Sequence, residues 1–259
     1  MPSEKNAPPQ IEQLLADAGR NVQNDHVRPT DYSEIFYRSH ARRYAEVSQQ
    51  KLQSFCIKSS HPGLKSNLDL LDRLTQLVPG RRGLDAGCGA DARDVLYLRS
   101  RGYDVFGIDS VEENIQVARE LHPEIAERIN VADLRHPLGF DDDSLDFVIC
   151  NAVIQHIEPD ILVRVTLPEF ARVLRPGGIL QLMFKNGKGV ITIHDRDFKA
   201  ERSFQLYDEV EMLNHLSASN LSLLEAEEPN ALGGVMYFTD PKPVDYCVVF
   251  VEKTHNVLK

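Results

Sequence analysis

The stretch from Gly83 to Asp91 constrains this chain most. It reads Gly-Leu-Asp-Ala-Gly-Cys-Gly-Ala-Asp, so an apolar run leads into an acid and then into a Gly-x-Gly turn. Glycine lets a backbone turn sharply and approach a ligand, because no Cβ stands in the way. The residues that follow, 93–98, have helical spacing. A strand, a glycine loop and a helix N-terminus in this order predict a nucleotide-type binding site.

The glycine spacing alone leaves the ligand of this loop open. Gly87, Gly89 and Ala92 formally fit the dinucleotide fingerprint, which tolerates Ala at its third small position. Asp85 argues against a pyrophosphate, because a carboxylate beside the turn would repel the negative charge of that group. S-adenosylmethionine carries an ammonium, a sulfonium and an adenosine but no phosphate. The acid therefore favours S-adenosylmethionine over NAD, and an NAD-dependent dehydrogenase is the least favoured alternative.

Two more acids stand at the ends of apolar runs. Asp109 ends the run 103–108, about twenty residues past the glycine loop, where an acid binds the ribose hydroxyls in doubly wound folds. The paired oxygens of a carboxylate suit a vicinal diol. Asp133 ends the shorter run 129–132 and is suited to accept a hydrogen bond from the exocyclic amine of adenine. Three strands that end in three acids predict one cofactor site.

With these motifs the chain resembles the class I S-adenosylmethionine-dependent methyltransferases over roughly 70–253. The run 144–157 resembles the family's fourth strand, and 173–180, which contains Arg-Pro-Gly-Gly, resembles the turn before its fifth. The segment Ala90-Asp91 departs from the commoner family pattern, which has Gly or Thr nearby. The resemblance implies that the glycine loop holds the methionyl end, Asp109 the ribose and Asp133 the adenine. The residues it assigns to the cofactor are Asp85, Gly87, Cys88, Gly89, Asp109, Ser110, Ala132, Asp133, Leu134, Asn151 and Val153.

The order of apolar and amphipathic segments alternates between strand and helix. Helices are predicted at 67–77, 92–100, 111–121, 159–173 and 208–217, and strands near residues 83, 105, 129, 147 and 180, with a final strand pair at 221–226 and 245–252. Such alternation predicts a parallel sheet with ligands at the carboxyl ends of its strands. The expected fold is a doubly wound, mostly parallel, seven-stranded α/β sheet with an antiparallel edge strand. Residues 67–259 are expected to form this domain and 1–66 an N-terminal helical extension or lid.

The N-terminal region has helical patterns of its own. Ile11, Leu14 and Leu15 predict a short amphipathic helix, and Asp31 is expected to cap a longer one. An aromatic stripe along the longer helix would either cover the site as a lid or pack on the sheet. A second polar group follows the fifth parallel strand and would order a substrate loop or form a surface hairpin. The stripe comprises Tyr32, Phe36, Tyr37, His40 and Tyr44, and the polar group His194, Asp195, Arg202 and Tyr207.

Composition narrows the partners of the chain. A formal charge of −10 argues against gripping a long phosphate backbone, since such binding draws on clustered Lys and Arg. Arg38, Arg42 and Arg43 make a local cluster, either a binding patch or a solvated helix face. The sequence has neither a long apolar run nor a signal-peptide core, so we expect a cytoplasmic protein without a membrane span. Because the four cysteines lack CxxC spacing, the sequence predicts no cysteine metal site and no disulfide framework.

The expected chemistry is displacement at a methyl carbon, with acceleration from holding the nucleophile and the methyl group in line. His156 is the candidate general base, because it follows a predicted strand and imidazole titrates near neutrality; packing on the cofactor or binding of substrate are its alternative roles. The favoured function is methyl transfer to an O, N or C atom of a small molecule. The alternatives are an RNA (tRNA) methyltransferase and a non-catalytic S-adenosylmethionine-binding protein. The sequence Cys-Asn-Ala-Val at 150–153 lacks the Asn/Asp-Pro-Pro-Tyr/Phe motif, which counts against amino methylation of bases.

Overall fold

We describe the protein from a computed structural model, which covers residues 29–50, 58–228, 230–239 and 245–254. The short helix predicted around Ile11 and the cysteine at position 56 lie outside these ranges. The first described helix begins at Pro29, so Asp31 lies inside its first turn instead of preceding it as the cap we expected. Across this described part of the chain, no helix is long and apolar enough to cross a membrane.

The helices agree closely with the predicted segments. They are α1 Pro29–Gln50, α2 Asn67–Leu77, α3 Arg93–Ser100, α4 Glu112–Leu121, α5 Pro159–Ile161, α6 Leu167–Val173 and α7 Glu209–Ala218. The segment predicted as one helix over 159–173 is divided, because a π-helical turn, Leu162–Thr166, connects α5 to α6. Two 3₁₀ turns, Pro123–Arg128 and Ile154–His156, follow α4 and the fifth strand.

The strands form a large mixed sheet and a separate hairpin. They are β1 Lys58–Ser59, β2 Arg82–Ala86, β3 Asp104–Asp109, β4 Ile129–Val131, β5 Leu145–Asn151, β6 Leu174–Lys185, β7 Val190–Asp195, β8 Ala200–Gln205, β9 Leu221–Leu223, β10 Met236–Thr239 and β11 Asp245–Lys253. The large sheet has the order β1-β10-β11-β6-β5-β2-β3-β4, with β9 also pairing to β11. The strands from β6 to β4 in this order are parallel, and β11, β10, β9 and β1 pair antiparallel.

The mostly parallel α/β fold is confirmed, and its antiparallel part is larger than expected. The predicted final pair is β9 with β11, but β11 is not the edge of the sheet, because it lies between β6 and β10. The two added strands, β1 and β10, raise the sheet to nine strands within the described residues. They have two and four residues, which is too short for a period-2 pattern to reveal.

Glycine at position 83 allows β2 to pack closely against a side chain of β5. A Cβ at Gly83 would lie 2.1 Å from the Phe147 ring, so glycine in β2 lets a buried phenylalanine of β5 cross it. Hydrophobic clusters cover both faces of the sheet, one with Phe170 and Leu182 and the other with Leu70 and Phe250. The central parallel strands β2, β5 and β6 are mostly buried on both faces, as doubly wound folds require, whereas β4 at the edge is largely exposed.

Helix α1 and the β7–β8 hairpin lie above the carboxyl ends of the parallel strands. α1 packs against α4 and β8. The arginines of the cluster on α1 each pair with a glutamate: Arg38 with Glu34 and Glu113, Arg42 with Glu120, and Arg43 with Glu46. These side chains are exposed and ion-paired, so the cluster is a solvated helix face that also fastens α1 to α4.

Candidate functional site

A cavity of about 1020 Å³ opens where the parallel strands end, beneath α1 and the β7–β8 hairpin. The structure brings every predicted site residue to its wall. The predicted residues that line it are Asp85, Gly87, Cys88, Gly89, Asp109, Ser110, Ala132, Asp133, Leu134, Asn151, Val153 and His156. The strand-end acids therefore share one space with the glycine loop and with the candidate base.

The loop after β2 depends on its glycines. Gly87 has a φ of +106°, and a Cβ there would lie 2.2 Å from Cγ2 of Val153. Gly89 also has a positive φ, +67°, yet only ordinary contacts beyond 3.8 Å surround its absent Cβ. The amides of Gly87 and Cys88 both donate to the Ile108 carbonyl, at 2.8 and 2.9 Å. These bonds hold the loop against β3 and bring its backbone to the cavity.

Four carboxylates surround the glycine loop, with one arginine among them. Asp85, Asp91 and Asp94 are buried, and Arg93 pairs with Asp94 at 2.9 Å. Burial, reinforced by the charge of Asp94, raises the pKa of Asp85 well above its usual value. Burial likewise raises the pKa of Asp91, although Arg93 opposes it. The site holds more buried negative charge than its own cation balances.

Asp109, the fourth carboxylate, is fixed by backbone and side-chain donors. Its Oδ2 accepts from the Gly89 amide at 3.0 Å, and its Oδ1 accepts from the Val111 amide at 2.9 Å and from Nδ2 of Asn114 at 3.1 Å. Burial raises the pKa of Asp109, and these hydrogen bonds oppose the rise. The carboxylate is thus oriented at the end of β3, beside the glycine turn, with one lone pair of Oδ2 left for a ligand hydroxyl.

Asp133 differs from the other acids because it already has a cation. Nε of Arg135 donates to both its oxygens, at 3.0 and 2.8 Å, and Nη2 lies 2.7 Å from Oδ2. Partial burial raises the pKa of Asp133, but the hydrogen bonds from Arg135 outweigh this effect and lower that pKa below its usual value. Arg135 also approaches Glu34 of α1 at 3.8 Å. A ligand amine at Asp133 would therefore share the carboxylate with Arg135.

Asn151 and Val153 close the opposite wall. Nδ2 of Asn151 donates to Asp94 at 3.2 Å, and its Oδ1 accepts from Gln181 at 3.0 Å. Val153 fills the space in front of Gly87. The amide of Asn151 therefore ties the fifth strand to the acids at the glycine loop, while Val153 gives the cavity an apolar side.

The other half of the cavity contains His156 in a hydrogen-bonded chain. Nε2 of His156 lies 3.2 Å from the Tyr37 hydroxyl, and its Nδ1 lies 2.8 Å from Oγ of Ser33. Burial, together with the positive charges of Arg202 and Lys185, lowers the pKa of His156 to about 3. The imidazole is therefore neutral at physiological pH and has one nitrogen available as an acceptor.

Arg202 stands at the centre of this half. Its guanidinium carbon lies between 4.6 and 6.0 Å from the centroids of five rings. Nη1 donates to the buried Asp195 at 3.0 Å, and Nη2 makes a short hydrogen bond to the Tyr37 hydroxyl. The rings are Phe36, Tyr37, Tyr44, Phe198 and Phe204. The aromatic stripe of α1 thus meets the polar group of the β7–β8 hairpin around one buried arginine.

The donor set fits S-adenosylmethionine. Three acids at the glycine loop, Asp85, Asp91 and Asp109, have raised pKa values, so a cationic ligand there would stabilise their ionised forms. An ammonium and a sulfonium supply that charge, whereas a pyrophosphate would add to the repulsion.

The comparison with protein families agrees with this geometry. Residues 84–182 match the model of a family described as a methyltransferase domain. This match supports assigning residues 84–182 to the class I S-adenosylmethionine-dependent methyltransferases. The family match and the donor set support S-adenosylmethionine as its cofactor.

An uncharacterised methyltransferase of Mycobacterium bovis is 34% identical over 104 residues, covering 40% of this chain and 40% of the relative. The chain spans about two fifths of the length of the curated relatives it matches first. A Burkholderia thailandensis 1,6-didemethyltoxoflavin-N1-methyltransferase, solved with bound 1,6-didemethyltoxoflavin and S-adenosylhomocysteine, superposes with a TM-score of 0.52 at 18% identity, covering 98% of this chain and 94% of that one. The cyclase SpnF superposes with a TM-score of 0.59 at 15% identity, covering 86% and 95%. At these identities the structures establish a shared fold.

Sequence reasoning missed several polar residues of this site. Asn114 orients Asp109 from the first turns of α4, and an amide five residues past a strand-end acid is a signal that could have revealed it. Lys185 is 1% exposed at the end of β6, where its Nζ donates to the Tyr246 hydroxyl at 2.6 Å. Nothing in the local sequence distinguishes such a lysine from a solvated one. Tyr207, which the sequence grouped with His194, Asp195 and Arg202, is not one of the five rings around Arg202; its hydroxyl donates to the Ile157 carbonyl at 2.6 Å.

Proposed function

We propose that this chain transfers a methyl group from S-adenosylmethionine to an oxygen, nitrogen or carbon atom of a small-molecule acceptor. One observation carries the proposal: a single cavity of about 1020 Å³ joins the acidic glycine loop to an aromatic half that contains Tyr37, His156 and Arg202. This volume lies at the upper end of the range of about 300–1,000 Å³ for a single ligand site, which leaves room for a small substrate beside the cofactor.

The cofactor half would hold S-adenosylmethionine through the residues named above. Asp85 and the amides of the glycine loop suit the methionyl end, Asp109 the ribose hydroxyls, and Asp133 the adenine amine. Ser110, Ala132 and Leu134 line the same end, and Asn151 and Val153 the opposite wall. When bound, the cofactor supplies an electrophilic methyl group on a good leaving group, so the task of the chain is to align the acceptor atom with it.

The acceptor half supports small-molecule chemistry. Aromatic side chains enclose it, and α1 and the hairpin cover it from solvent. His156 is the proposed catalytic residue, because its neutral imidazole faces this half and has an accepting nitrogen. The net charge of −10 disfavours an RNA substrate.

The same arrangement supports a division of the chain into two parts. We assign residues 67–259 to the cofactor-binding domain, to which β1 also belongs because it pairs with β10. Within the predicted extension 1–66, we propose that α1 acts as a lid. Exposed ion pairs between α1 and α4, and the Glu34–Arg135 approach, are the contacts that would open and close with it.

A cofactor-binding measurement tests the first half of the proposal. Asp109→Ala removes a charge-assisted contact worth about 1.5–3 kcal/mol, so calorimetry should report an affinity for S-adenosylmethionine reduced roughly 10- to 150-fold. Asp104→Ala is the matched control, because Asp104 begins the same strand and pairs with Arg99 and Arg128 away from the cavity. Equal affinities for Asp109→Ala and the unmodified chain would remove Asp109 from the site.

A methyl-transfer screen tests the second half. Radiolabelled S-adenosylmethionine is incubated with the protein and with fractionated cell extract, and the expected result is label in a low-molecular-weight fraction. Label in transfer RNA with salt-dependent binding would favour the RNA alternative. Cofactor binding without label in any fraction would favour a protein that binds S-adenosylmethionine without transferring its methyl group.

A further inference from the structure

Four carboxyl groups surround the glycine loop, with one guanidinium beside them. Asp85, Asp91 and Asp94 are 4%, 6% and 6% exposed. Asp109 is held at the end of β3 by three hydrogen bonds, and Arg93 pairs with Asp94 at 2.9 Å. One cation leaves most of the negative charge of four ionised acids without compensation. A buried carboxyl in such surroundings takes up a proton instead of remaining ionised.

The hydrogen bonds to these acids indicate which of them carries the proton. Asp94 accepts from Arg93 at 2.9 Å and from Asn151 at 3.2 Å, and Asp91 accepts from a serine of α1. No donor to the Asp85 carboxyl is found among the residues that the structure describes. Because donors stabilise an ionised carboxylate, Asp85 is the acid of this group that is stabilised least in its ionised form. Asp85 also lines the cavity, where a ligand would meet it.

The groups that face Asp85 are mostly acidic or neutral. Burial raises the pKa of Asp85 most, Asp94 adds to the rise, and Arg93 opposes it. Burial also raises the pKa values of the thiols of Cys88 and Cys150, so these thiols stay protonated and bring no charge. The charged and titratable groups that face Asp85 are Asp94 and Arg93 of α3, Asp91 and Cys88 of the glycine loop, Asp109 of β3 and Cys150 of β5, and Tyr44 of α1 faces Arg93.

We propose that Asp85 carries a proton in the ligand-free protein and releases it when S-adenosylmethionine binds, so that the site exchanges a proton for the positive charge of the cofactor. This inference rests on the proposed cofactor and deepens it, because it makes Asp85 the residue that selects a cationic ligand. The O–H bond of the carboxyl breaks, its electron pair stays on the oxygen, and the proton passes to solvent. The carboxylate that remains is paired with the charge of the ligand.

The exchange makes cofactor affinity depend on pH. Below the raised pKa of Asp85, binding must expel a proton, so each pH unit of acidification should weaken binding by up to about tenfold. Above that pKa the carboxyl is already ionised, and the dependence should disappear. The pKa values of His156 and Asp133 are lowered, so between pH 5 and 7 the imidazole stays neutral, the Asp133 carboxylate stays ionised, and neither group contributes to this dependence.

Isothermal titration calorimetry tests the exchange without any methyl acceptor. S-adenosylmethionine is titrated into the protein between pH 5 and 7, below the range near 8 in which an α-amino group titrates. Two buffers with different ionisation enthalpies are compared at each pH. The measured heats should differ by the amount expected for release of up to about one proton per bound cofactor, and the affinity should rise with pH. Heats independent of the buffer, together with an affinity independent of pH, overturn the proposal.

Asp85→Asn shows whether Asp85 is the source of the proton. Asparagine keeps the shape of the protonated acid and cannot ionise, so the variant should release no proton, and the advantage of the unmodified chain in affinity should shrink as the pH falls from 7 to 5. Asp104→Asn is the matched control, because Asp104 pairs with Arg99 and Arg128 away from the cavity, and it should keep the release. Equal proton release by Asp85→Asn and the unmodified chain overturns the proposal.

Asp94→Asn is a second variant that keeps the proposed proton site. It removes the charge that adds most to the effect of burial on Asp85, so the pH-dependent part of cofactor binding should move to lower pH. An unchanged position, or a move to higher pH, contradicts the proposal. Absence of S-adenosylmethionine binding at every pH would overturn the proposed function together with this inference, whereas binding without proton release would overturn this inference alone.

Discussion

Gly87→Ala should destabilise the fold for two separable reasons. The φ of +106° at Gly87 disfavours any Cβ, at a cost of about 1–2 kcal/mol. The added Cβ would also lie 2.2 Å from Cγ2 of Val153, and such overpacking costs about 1–3 kcal/mol. The expected loss in free energy of unfolding is therefore about 2–5 kcal/mol.

Gly89→Ala is the matched control for this substitution. Its φ of +67° carries the backbone cost, but its nearest neighbouring atom is 3.8 Å from the new Cβ. We therefore expect a loss of about 1–2 kcal/mol. Urea denaturation measures both variants, and the comparison is valid where the slope of the free energy against denaturant is unchanged.

A double-mutant cycle separates packing from backbone strain. Val153→Ala removes both γ-carbons that crowd the new Cβ, so Gly87→Ala should cost at least about 1 kcal/mol less in the Val153→Ala background than alone. The reasoning is refuted if the two glycine variants lose equal stability, or if the Gly87→Ala and Val153→Ala effects simply add.

Three further predictions follow from charge. Because burial raises the pKa of Asp85 above its unfolded value, ionisation of Asp85 lowers the free energy of unfolding as the pH rises past about 4. Asp85→Asn should therefore raise the melting temperature of the ligand-free protein at pH 7 and weaken S-adenosylmethionine binding. A lower melting temperature for Asp85→Asn would contradict this. Burial and nearby cations lower the pKa of His156 from 6.5 to about 3, so the free energy of unfolding should fall by up to about 1.4 kcal/mol per pH unit on acidification between these two values. Urea titrations at pH 6.5 and 4.5 should show that His156→Gln loses this contribution to the pH dependence. An unchanged pH dependence in His156→Gln would exclude the lowered pKa of His156. Arg42→Ala breaks an exposed ion pair with Glu120, so denaturation should show a loss below about 1 kcal/mol that disappears at high salt. A larger, salt-independent loss would show that Arg42 stabilises the fold through more than this ion pair.

The cofactor half was predictable because its signals are local. Gly87 and Gly89 mark the turn within the sequence, and Asp109 and Asp133 follow largely apolar runs of the length of short strands. The strand bounds differ by a few residues from the expectation, but the acids come together because parallel strands end at one edge of a sheet. The geometry follows from the order of elements, so no long-range information is needed.

The acceptor half was less predictable because its interior is polar. Arg202 and Lys185 are buried, and charged residues in a sequence ordinarily indicate solvent exposure. Arg202 also interrupts the apolar alternation of β8, which has alanine and phenylalanine at the neighbouring inward positions. Their burial depends on partners distant in the chain, such as Tyr37 for Arg202 and Tyr246 for Lys185. Residue patterns alone carry no record of those pairings.

Among the residues that the structure describes, the β7–β8 hairpin pairs with no strand of the large sheet, since its two strands form a sheet of their own. It contributes Asp195, Phe198, Arg202 and Phe204 to the acceptor half, and its only covalent connections to the rest of the chain follow β6 and precede α7. Insertion, deletion or exchange of this segment would leave the backbone pairing of the cofactor strands intact. The hairpin is therefore suited to redesign. Variant libraries confined to residues 190–205 would change the part of the cavity that faces the methyl acceptor and leave the cofactor-binding residues unchanged.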